Sequence, residues 1–535
     1  MKNDIPQDAG NASNPKDVKP VAGADDTSQI NRRKFVKVAA TGALAFSIVP
    51  RHVLGGTNYI APSDKITLAY VGCGTQGLRE MLPLLSVPGF QVTAVCDPNK
   101  YAIGYRDWSR NGLRDEIRTA IGKKDWIPNP GDENAIPGGR ENGKDIVDAY
   151  YANVRAADKF KGCAAYADFR ELLAKEKDLD AVKIMTPDHL HGAFAMAALR
   201  KNKHVLMHKP VSNRLLEGKA VIEMARESKK ITHLIPWDSN GSMDQVMTWI
   251  NSGAIGTLKE VHNWTNRPVW PQYATLPTET PGIPDGLEWD LWLGPEADRP
   301  YSSDYTNMVF RGWYDFGGGS MADMGHYSLW TVFDALQLQA PTVIEPNLSH
   351  FIDFNGTVPN YVRNDFSFPM ASSVRFKYPA NGARPAVDLC WYDGGMRPQL
   401  PTELLENNEE LPAEGMMFVG DKDKILAGFN VENPRLLSQK KADAPQNSQA
   451  AQLHGPEKME AALQLFVDAC KSGKQYPGSF RDAEHLTEAV NLYAASLRAG
   501  RLLKYDAASR QITNVPDANK YLKREYRAGW DPASI

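Results

Sequence analysis

Four short runs of residues in this sequence could do chemistry. The first is Gly72-Cys73-Gly74-Thr75-Gln76-Gly77, a G-x-G-x-x-G run followed 20 positions later by Asp97. In such a loop Gly72 permits the tight turn and Gly74 lets backbone approach a pyrophosphate. Gly77 lets a helix pack on a sheet, and the helix N-terminus, with Thr75 and Gln76, offers N–H donors and a positive dipole end. Asp97 would accept hydrogen bonds from adenosine ribose hydroxyls and repel a 2′-phosphate, which favours NAD over NADP. The second run is Thr186-Pro187-Asp188-His189-Leu190-His191, and the third is His208-Lys209-Pro210. The fourth, Gly317-Gly318-Gly319-Ser320-Met321-Ala322-Asp323-Met324-Gly325-His326, sets a carboxylate and an imidazole three residues apart.

These runs need elements to hold them. Ile66 to Val71 is β-prone and leads directly into the glycine loop. Leu78, Met81, Leu82 and Leu85 then recur at helical spacing, and Phe90 to Cys96 reads as a second strand ending at Asp97. A lone glycine motif is weak, but one set between a strand and a helix, with the acidic residue at this distance, predicts a dinucleotide-binding βαβ unit. Residues 99–160 read as an insertion, with a Gly/Pro/Asn-rich loop from Ile127 through Gly139 and Gly143. Tyr166 to Leu173 opens a helix, Ala181 to Met185 is a buried strand, and an Ala-rich helix follows to about Lys201. Val205-Leu206-Met207 is the next strand, which puts His208 and Lys209 at its carboxyl end. Ligands bind at that end of an open α/β sheet.

Residues 1–60 read as an address. The stretch to residue 30 is polar and lacks aromatic residues; Asn31-Arg32-Arg33-Lys34-Phe35 then precedes a short apolar run from Val38 to Pro50. Paired arginines before a short apolar run resemble a twin-arginine export signal, and the run is too short for a transmembrane helix of about 20 residues. Export to the periplasm, with no stable membrane span in the mature protein, is the expectation. A formal charge of −3 gives no basic excess to suggest nucleic acid. Five cysteines in 535 residues cannot frame a disulfide scaffold, and 12 Trp with 20 Tyr supply ample flat, hydrogen-bonding surface.

Taken together and in order, the four runs resemble the glucose–fructose oxidoreductase / inositol dehydrogenase / MocA (Gfo/Idh/MocA) family over essentially the whole chain after residue 60. Lys203-His204-Val205-Leu206-Met207-His208-Lys209-Pro210 is similar to its G-K-H-V-x-x-E-K-P, with His208 where Glu is usual. The glycine-rich fourth run is similar to its G-G-G-x-x-x-D-x-G-x-H, with the histidine one residue early. Trp264-Thr265-Asn266-Arg267-Pro268-Val269-Trp270-Pro271-Gln272 resembles an exported bacterial branch of the family. The implied fold is an N-terminal Rossmann domain, a doubly wound parallel sheet over 61–212, and a C-terminal α+β domain with an open mixed sheet over 213–535. Ile231 to Ile235, Leu258 to Thr265, Val374 to Tyr378 and Ala386 to Tyr392 are strand-like in that second domain. Residues 433–456 read as a polar loop, and helices are expected over Glu457–Cys470 and Glu484–Gly500.

The resemblance implies an NAD-dependent oxidoreductase that oxidises a hydroxyl of a sugar or glycoside and keeps its nucleotide tightly bound. Lys209 would act on the hydroxyl proton, because desolvation and a positive nicotinamide both disfavour its ammonium form. His326 would relay the proton, with Asp323 orienting it or the sugar. Pro187, His191, His208 and Lys209 would join the glycine loop in holding the cofactor; a neutral imidazole at 208 lacks the charge and second oxygen of the usual carboxylate. Arg267, Trp270, Arg311, Trp313 and Asp315 surround the implied substrate position, with Arg267, Trp270 and Asp315 as the contacts. Trp264, Trp270, Trp289, Trp292 and Trp313 would wall it. His189, His191, His208 and His326 could be read as metal ligands, but no spacing among them is a strong zinc signature, and no metal is expected. A homo-oligomer is expected. Two other readings use the same residues: transient oxidation that permits glycoside cleavage, and a non-catalytic sugar-binding protein on the same fold.

Overall fold

The computed structural model describes residues 60, 62–101, 104–155, 160–236, 242–362, 364–439 and 456–533. The leader, its paired arginines and most of the polar loop at 433–456 lie outside the described residues.

The first sheet has six parallel strands in the order β3-β2-β1-β4-β5-β6. They are β1 (Ile66–Val71), β2 (Phe90–Cys96), β3 (Ala164–Tyr166), β4 (Ala181–Ile184), β5 (His204–His208) and β6 (Thr232–Ile235). The four residues of β4 and those of β6 are all buried, as a parallel sheet covered on both faces requires. Strand order reverses between β1 and β4, and the crevice at their carboxyl ends is where open α/β sheets bind ligands. The Ile231–Ile235 strand therefore belongs to this sheet and not to the second: the Leu215–Ser228 helix crosses over from β5, and Val205 then pairs with Thr232 in parallel.

Two local expectations differ from the structure. Gly143 lies inside a helix, Arg140–Asn153, where the glycine-rich composition suggested loop. A Cβ there would stand 2.7 Å from Cys73 Sγ, so glycine is the condition for packing this helix on the nucleotide loop. Tyr166 ends β3, and the helix begins only at Phe169, where the Asp168 side chain caps it by accepting from Arg170 N–H.

The second sheet is mixed and has nine strands, β15-β14-β13-β7-β12-β11-β8-β16-β17. Its members are β7 (Leu258–Trp264), β8 (Val343–Leu348), β11 (Ser372–Tyr378), β12 (Val387–Asp393), β13 (Gly415–Gly420), β14 (Lys424–Ala427), β15 (Arg435–Leu436), β16 (Leu503–Asp506) and β17 (Gln511–Ile512). A separate hairpin pairs β9 (Phe351–Asn355) with β10 (Val358–Val362). Helices Gly319–Ser328 and Glu484–Ala499 pack together, and a single apolar core runs from Val182 and Leu190 through Trp330 to Phe376 and Tyr493. The helix Pro456–Ser472 packs back on the first sheet's Thr75–Ser86 helix, with Phe466 stacked on Phe90 at 6.2 Å. No helix among the described residues is long and apolar enough to cross a membrane.

Candidate active site

The carboxyl ends of the first sheet open into a cavity of about 450 Å³ whose far wall comes from the second domain. Gly72, Gly74, Thr75, Gln76, Gly77 and Asp97 line one end. Gly72 has φ +97°, and a Cβ on it would meet the Met185 carbonyl carbon at 2.5 Å; one on Gly77 would meet the Gly72 oxygen at 2.2 Å. The turn is thus one that only glycine can make, and the Thr75–Ser86 helix starts at Gly74 with no side-chain cap, leaving its first N–H groups toward the cavity. Tyr105 of the insertion lies over Gly74, 3.1 Å from where a Cβ would be, so backbone access there is shared with an aromatic ring. Asp97 is buried; its Oδ2 accepts from Cys73 N–H at 2.7 Å and its Oδ1 from Asn99 N–H at 2.8 Å. Burial pushes its carboxyl upward. Thr186 and Pro187 border the same space, and Thr186 Oγ1 is buried with no partner among the described residues. These features fit a dinucleotide: a cradle closed to side chains, an uncapped helix start, a carboxylate at the end of β2 and a buried hydroxyl without a partner among the described residues.

The second domain is fixed over this groove by the second run of residues. Gly318 N–H donates to Asp188 Oδ2 at 3.0 Å, and His189 N–H donates to the Phe316 carbonyl at 3.2 Å. His189 Nε2 also meets the Trp292 carbonyl at 2.9 Å. Ser320 Oγ donates to the buried Asp393, which also accepts from Tyr493 OH at 2.7 Å and Trp391 Nε1 at 3.1 Å. At the other end of the helix, Ser328 Oγ donates to Asn263 Oδ1 at 2.6 Å. The helix carrying Asp323 is therefore pinned to the second sheet through Asp393 and Asn263 and to the first domain through Asp188 at the start of the Asp188–Arg200 helix.

Lys209 projects from the end of β5 and is only 3% exposed. Its ammonium donates to Asp323 Oδ1 at 2.9 Å and to the Asp323 backbone carbonyl. Arg267 Nε lies 3.3 Å from Asp323 Oδ2 and Arg311 Nε 3.2 Å from Oδ1. Burial pushes Lys209 downward, Asp323 pulls it back and Arg311 adds to the fall. Burial opposes the Asp323 charge, but Lys209 and the guanidinium groups hold its carboxyl well below the usual range.

The histidines divide. His208 lines the cavity; its Nε2 lies 3.3 Å from Tyr327 OH and 3.3 Å from Glu80 Oε1, and Glu80 accepts from Lys183 at 2.7 Å. A buried carboxylate from the neighbouring helix thus stands beside the position where the family places its own. Burial holds His208 at about 3, against Glu80, so it is a neutral imidazole. His191 bridges the carbonyl oxygens of Pro210 at 2.6 Å and Thr186 at 2.8 Å, tying the ends of β5 and β4 together without reaching the cavity. His326 is fully buried against Trp330 and is not part of the cavity wall. Tyr327, the next residue, is: it is 37% exposed, and its ring lies 5.2 Å from Lys209 Nζ. Burial and the nearby Glu80 and Asp323 raise its phenol. Positions 326 and 327 are both one helical turn from Asp323, so face-sharing cannot separate them; keeping the D-x-G-x-H register strictly selects Tyr327.

Of the expected substrate contacts, Arg267 and Trp270 line the cavity and Asp315 does not. Asp315 is enclosed by Arg299 at 2.8 Å, Arg214 at 3.3 Å and Arg498 at 3.4 Å; against burial they hold its carboxyl down to about 2. Arg311 stands in the wall instead. Among the tryptophans, Trp270 and Trp292 border the cavity, whereas Trp264, Trp289 and Trp313 bond to the carbonyls of Pro412, Arg299 and Asp304 and fill core. Trp108 of the insertion and Trp530 of the C-terminal segment also line it. Trp530 stacks on Phe194 at 6.4 Å, lies under the Arg170 guanidinium at 4.1 Å and is 2% exposed. Among the described residues no group of three or more His, Cys, Asp or Glu could hold a metal ion.

Residues 136–235 match the Gfo/Idh/MocA oxidoreductase family's NAD-binding Rossmann fold, and residues 243–344 match the same family's C-terminal alpha/beta domain. The chain is 33% identical over 106 residues to dTDP-3,4-didehydro-2,6-dideoxy-alpha-D-glucose 3-reductase of Streptomyces violaceoruber, covering 20% of this chain and 31% of that protein. It is 30% identical over 105 residues to levoglucosan dehydrogenase of Pseudarthrobacter phenanthrenivorans, covering 19% of this chain and 26% of that protein. The chain thus matches about a third or less of the length of these relatives. A solved levoglucosan dehydrogenase, in complex with NADH and L-sorbose, superposes with a TM-score of 0.46 at 13% identity, covering 82% of this chain and 99% of the other.

Proposed function

This chain belongs to the Gfo/Idh/MocA oxidoreductase family, and from that premise we propose that it oxidises a hydroxyl of a sugar or glycoside with a resident NAD. The observation that carries this reading is the position of Lys209, buried and paired with Asp323, in the same cavity as the Gly72–Gly77 cradle. When bound, NAD supplies the hydride acceptor at its nicotinamide. Lys209 takes the hydroxyl proton, and desolvation favours its neutral form. Tyr327, within reach of both His208 and Lys209, orients the substrate oxygen and passes the proton on. Asp323 fixes the Lys209 amine and holds Arg267 and Arg311 at the rim. Thr186, Pro187 and His208, which line the cavity, would hold the nicotinamide, and Trp270 would offer an apolar face to the sugar ring. The paired arginines at 32 and 33 support export by the twin-arginine route to the periplasm. That route is understood to carry folded proteins, so the nucleotide can travel already bound, and a cofactor recycled in place needs no outside pool.

The test is to denature the purified protein, identify any nucleotide released, and then offer the native protein a panel of sugars and glycosides. Release of NAD or NADH and its reduction or oxidation by a panel member are expected. A protein that neither releases nor binds a nicotinamide nucleotide would overturn the reading. Net cleavage of a glycoside without net NADH would move it to the transient-oxidation reaction.

A further inference from the structure

We propose that the sugar bound beside Lys209 carries a carboxylate, seated on the guanidinium groups of Arg267 and Arg311; this rests on the dehydrogenase reading above. Lys209, Arg267 and Arg311 converge on Asp323 at 2.9, 3.3 and 3.2 Å, three cations around one carboxylate. If Lys209 is neutral and ready to accept a proton, two guanidinium groups still face one carboxylate, and one positive charge is left over. The other acids of the wall do not balance it. Asp97 accepts from Cys73 and Asn99, Asp107 pairs with Arg79 at 3.0 Å, and Asp168 pairs with Arg170 at 2.7 Å.

Geometry points the same way. Both arginines approach Asp323 through Nε, and among the described residues no protein acceptor meets the paired Nη atoms of either. Arg267 lies over the Trp108 ring at 5.4 Å and Arg311 over Phe310 at 4.5 Å, which holds each planar fork in place at the cavity. Buried arginines elsewhere in the molecule are treated differently. Arg214 engages Glu296, Asp315 and the carbonyls of Asn213 and Tyr314; Arg524 engages Glu217, Glu296 and Asn213. A guanidinium fork left open at the rim of a cavity, 22% exposed at Arg267 and 20% at Arg311, matches a carboxylate in shape and charge. Hydroxyls alone would fill its hydrogen bonds and leave the charge uncompensated. The anionic pyrophosphate of a dinucleotide is served at the other end, by the glycine loop and its helix start, where Arg106 follows the Tyr105 that covers Gly74. A uronic acid, free or in glycosidic linkage, has the required chemistry; an aldonate shares it in open-chain form.

The test uses the protein with its nucleotide and matched pairs: methyl glucuronide against methyl glucoside, and methyl galacturonide against methyl galactoside, with gluconate as a separate arm. Binding is read by calorimetry and nucleotide reduction by absorbance. The acid of at least one pair should bind more tightly than its neutral counterpart, or gluconate more tightly than either neutral glycoside, by about 10–100-fold, less so with added salt. Arg311→Gln and Arg267→Gln should abolish that preference while nucleotide still co-purifies. Preference for the acid without any nucleotide reduction would support this inference and overturn the dehydrogenase reading. Reduction by neutral glycosides, with the acids binding no better, would do the reverse.

Discussion

Lys209 and Tyr327 make separable claims about proton movement. Lys209→Ala should lower the oxidation rate by about 10²–10⁴-fold, and Lys209→Arg should not restore it, because a guanidinium does not give up its proton. The pH profile has a definite sign. Burial and Arg311 push the Lys209 pKa down, and the neutral amine is the active form. Oxidation should therefore rise as pH rises through that pKa and level off above it, and ketone reduction should fall over the same interval; a flat profile would count against Lys209. Tyr327→Phe keeps the ring over Lys209 and removes only the hydroxyl. It should cost turnover at least about 10²-fold with nucleotide content unchanged, and unchanged turnover would remove the phenol from the reaction. His326 is the instructive case for reading residues from sequence. Its type suits proton relay better than a tyrosine with a raised phenol, and only the surrounding core, with Trp330 against its ring, shows that it faces away.

At the scale of elements, what was legible was local. The glycine loop, the strand before it and the helix after it interact over a few residues, so Ile66–Val71 and Phe90–Cys96 could be read directly. Contacts made across the chain could not. Gly143 resembled a loop residue because its reason, the approach to Cys73, lies about 70 residues away. Asp315 resembled a substrate ligand because nothing in the run 311–316 reveals Arg214 and Arg498. The C-terminal segment was silent, since a lone tryptophan near a terminus has no pattern. In the fold Arg524 pairs with Glu217 at 3.0 Å and with Glu296 at 2.7 Å, which leads the segment to Trp530 in the cavity wall beside Phe194. Trp530→Ala should open that wall and speed nucleotide loss, measured as nucleotide retained on prolonged dialysis. Retention equal to that of the unaltered protein would show that the segment does not hold the cofactor.

For the whole molecule, the buried histidines make stability depend on pH on the acid side. His189, His208, His233 and His326 are each held at about 3 by burial, against 6.5 in the open chain. Between those values the unfolded chain binds protons that the native state refuses, so stability falls as pH drops from about 6.5 toward 3, by up to about 1.4 kcal/mol per pH unit for each histidine. Melting temperatures recorded across that range should decline steeply on the acid side; a plateau down to pH about 4 would mean that these rings protonate in place. The two domains face this loss together, because one apolar core joins them and the helix holding Asp323 is bonded to residues of both domains.

On the proposed function, a carbon-bound hydrogen of the sugar reaches the nicotinamide in this cavity. The most direct measurement is to incubate the protein and its nucleotide with glycosides and uronides deuterated at their ring carbons, then denature it and weigh the released nucleotide by mass spectrometry. Reduced nucleotide carrying one deuterium is expected with at least one sugar, formed about 10²–10⁴-fold more slowly when Lys209 is alanine. Sugar that binds while the nucleotide stays unlabelled in every case would contradict the proposed function.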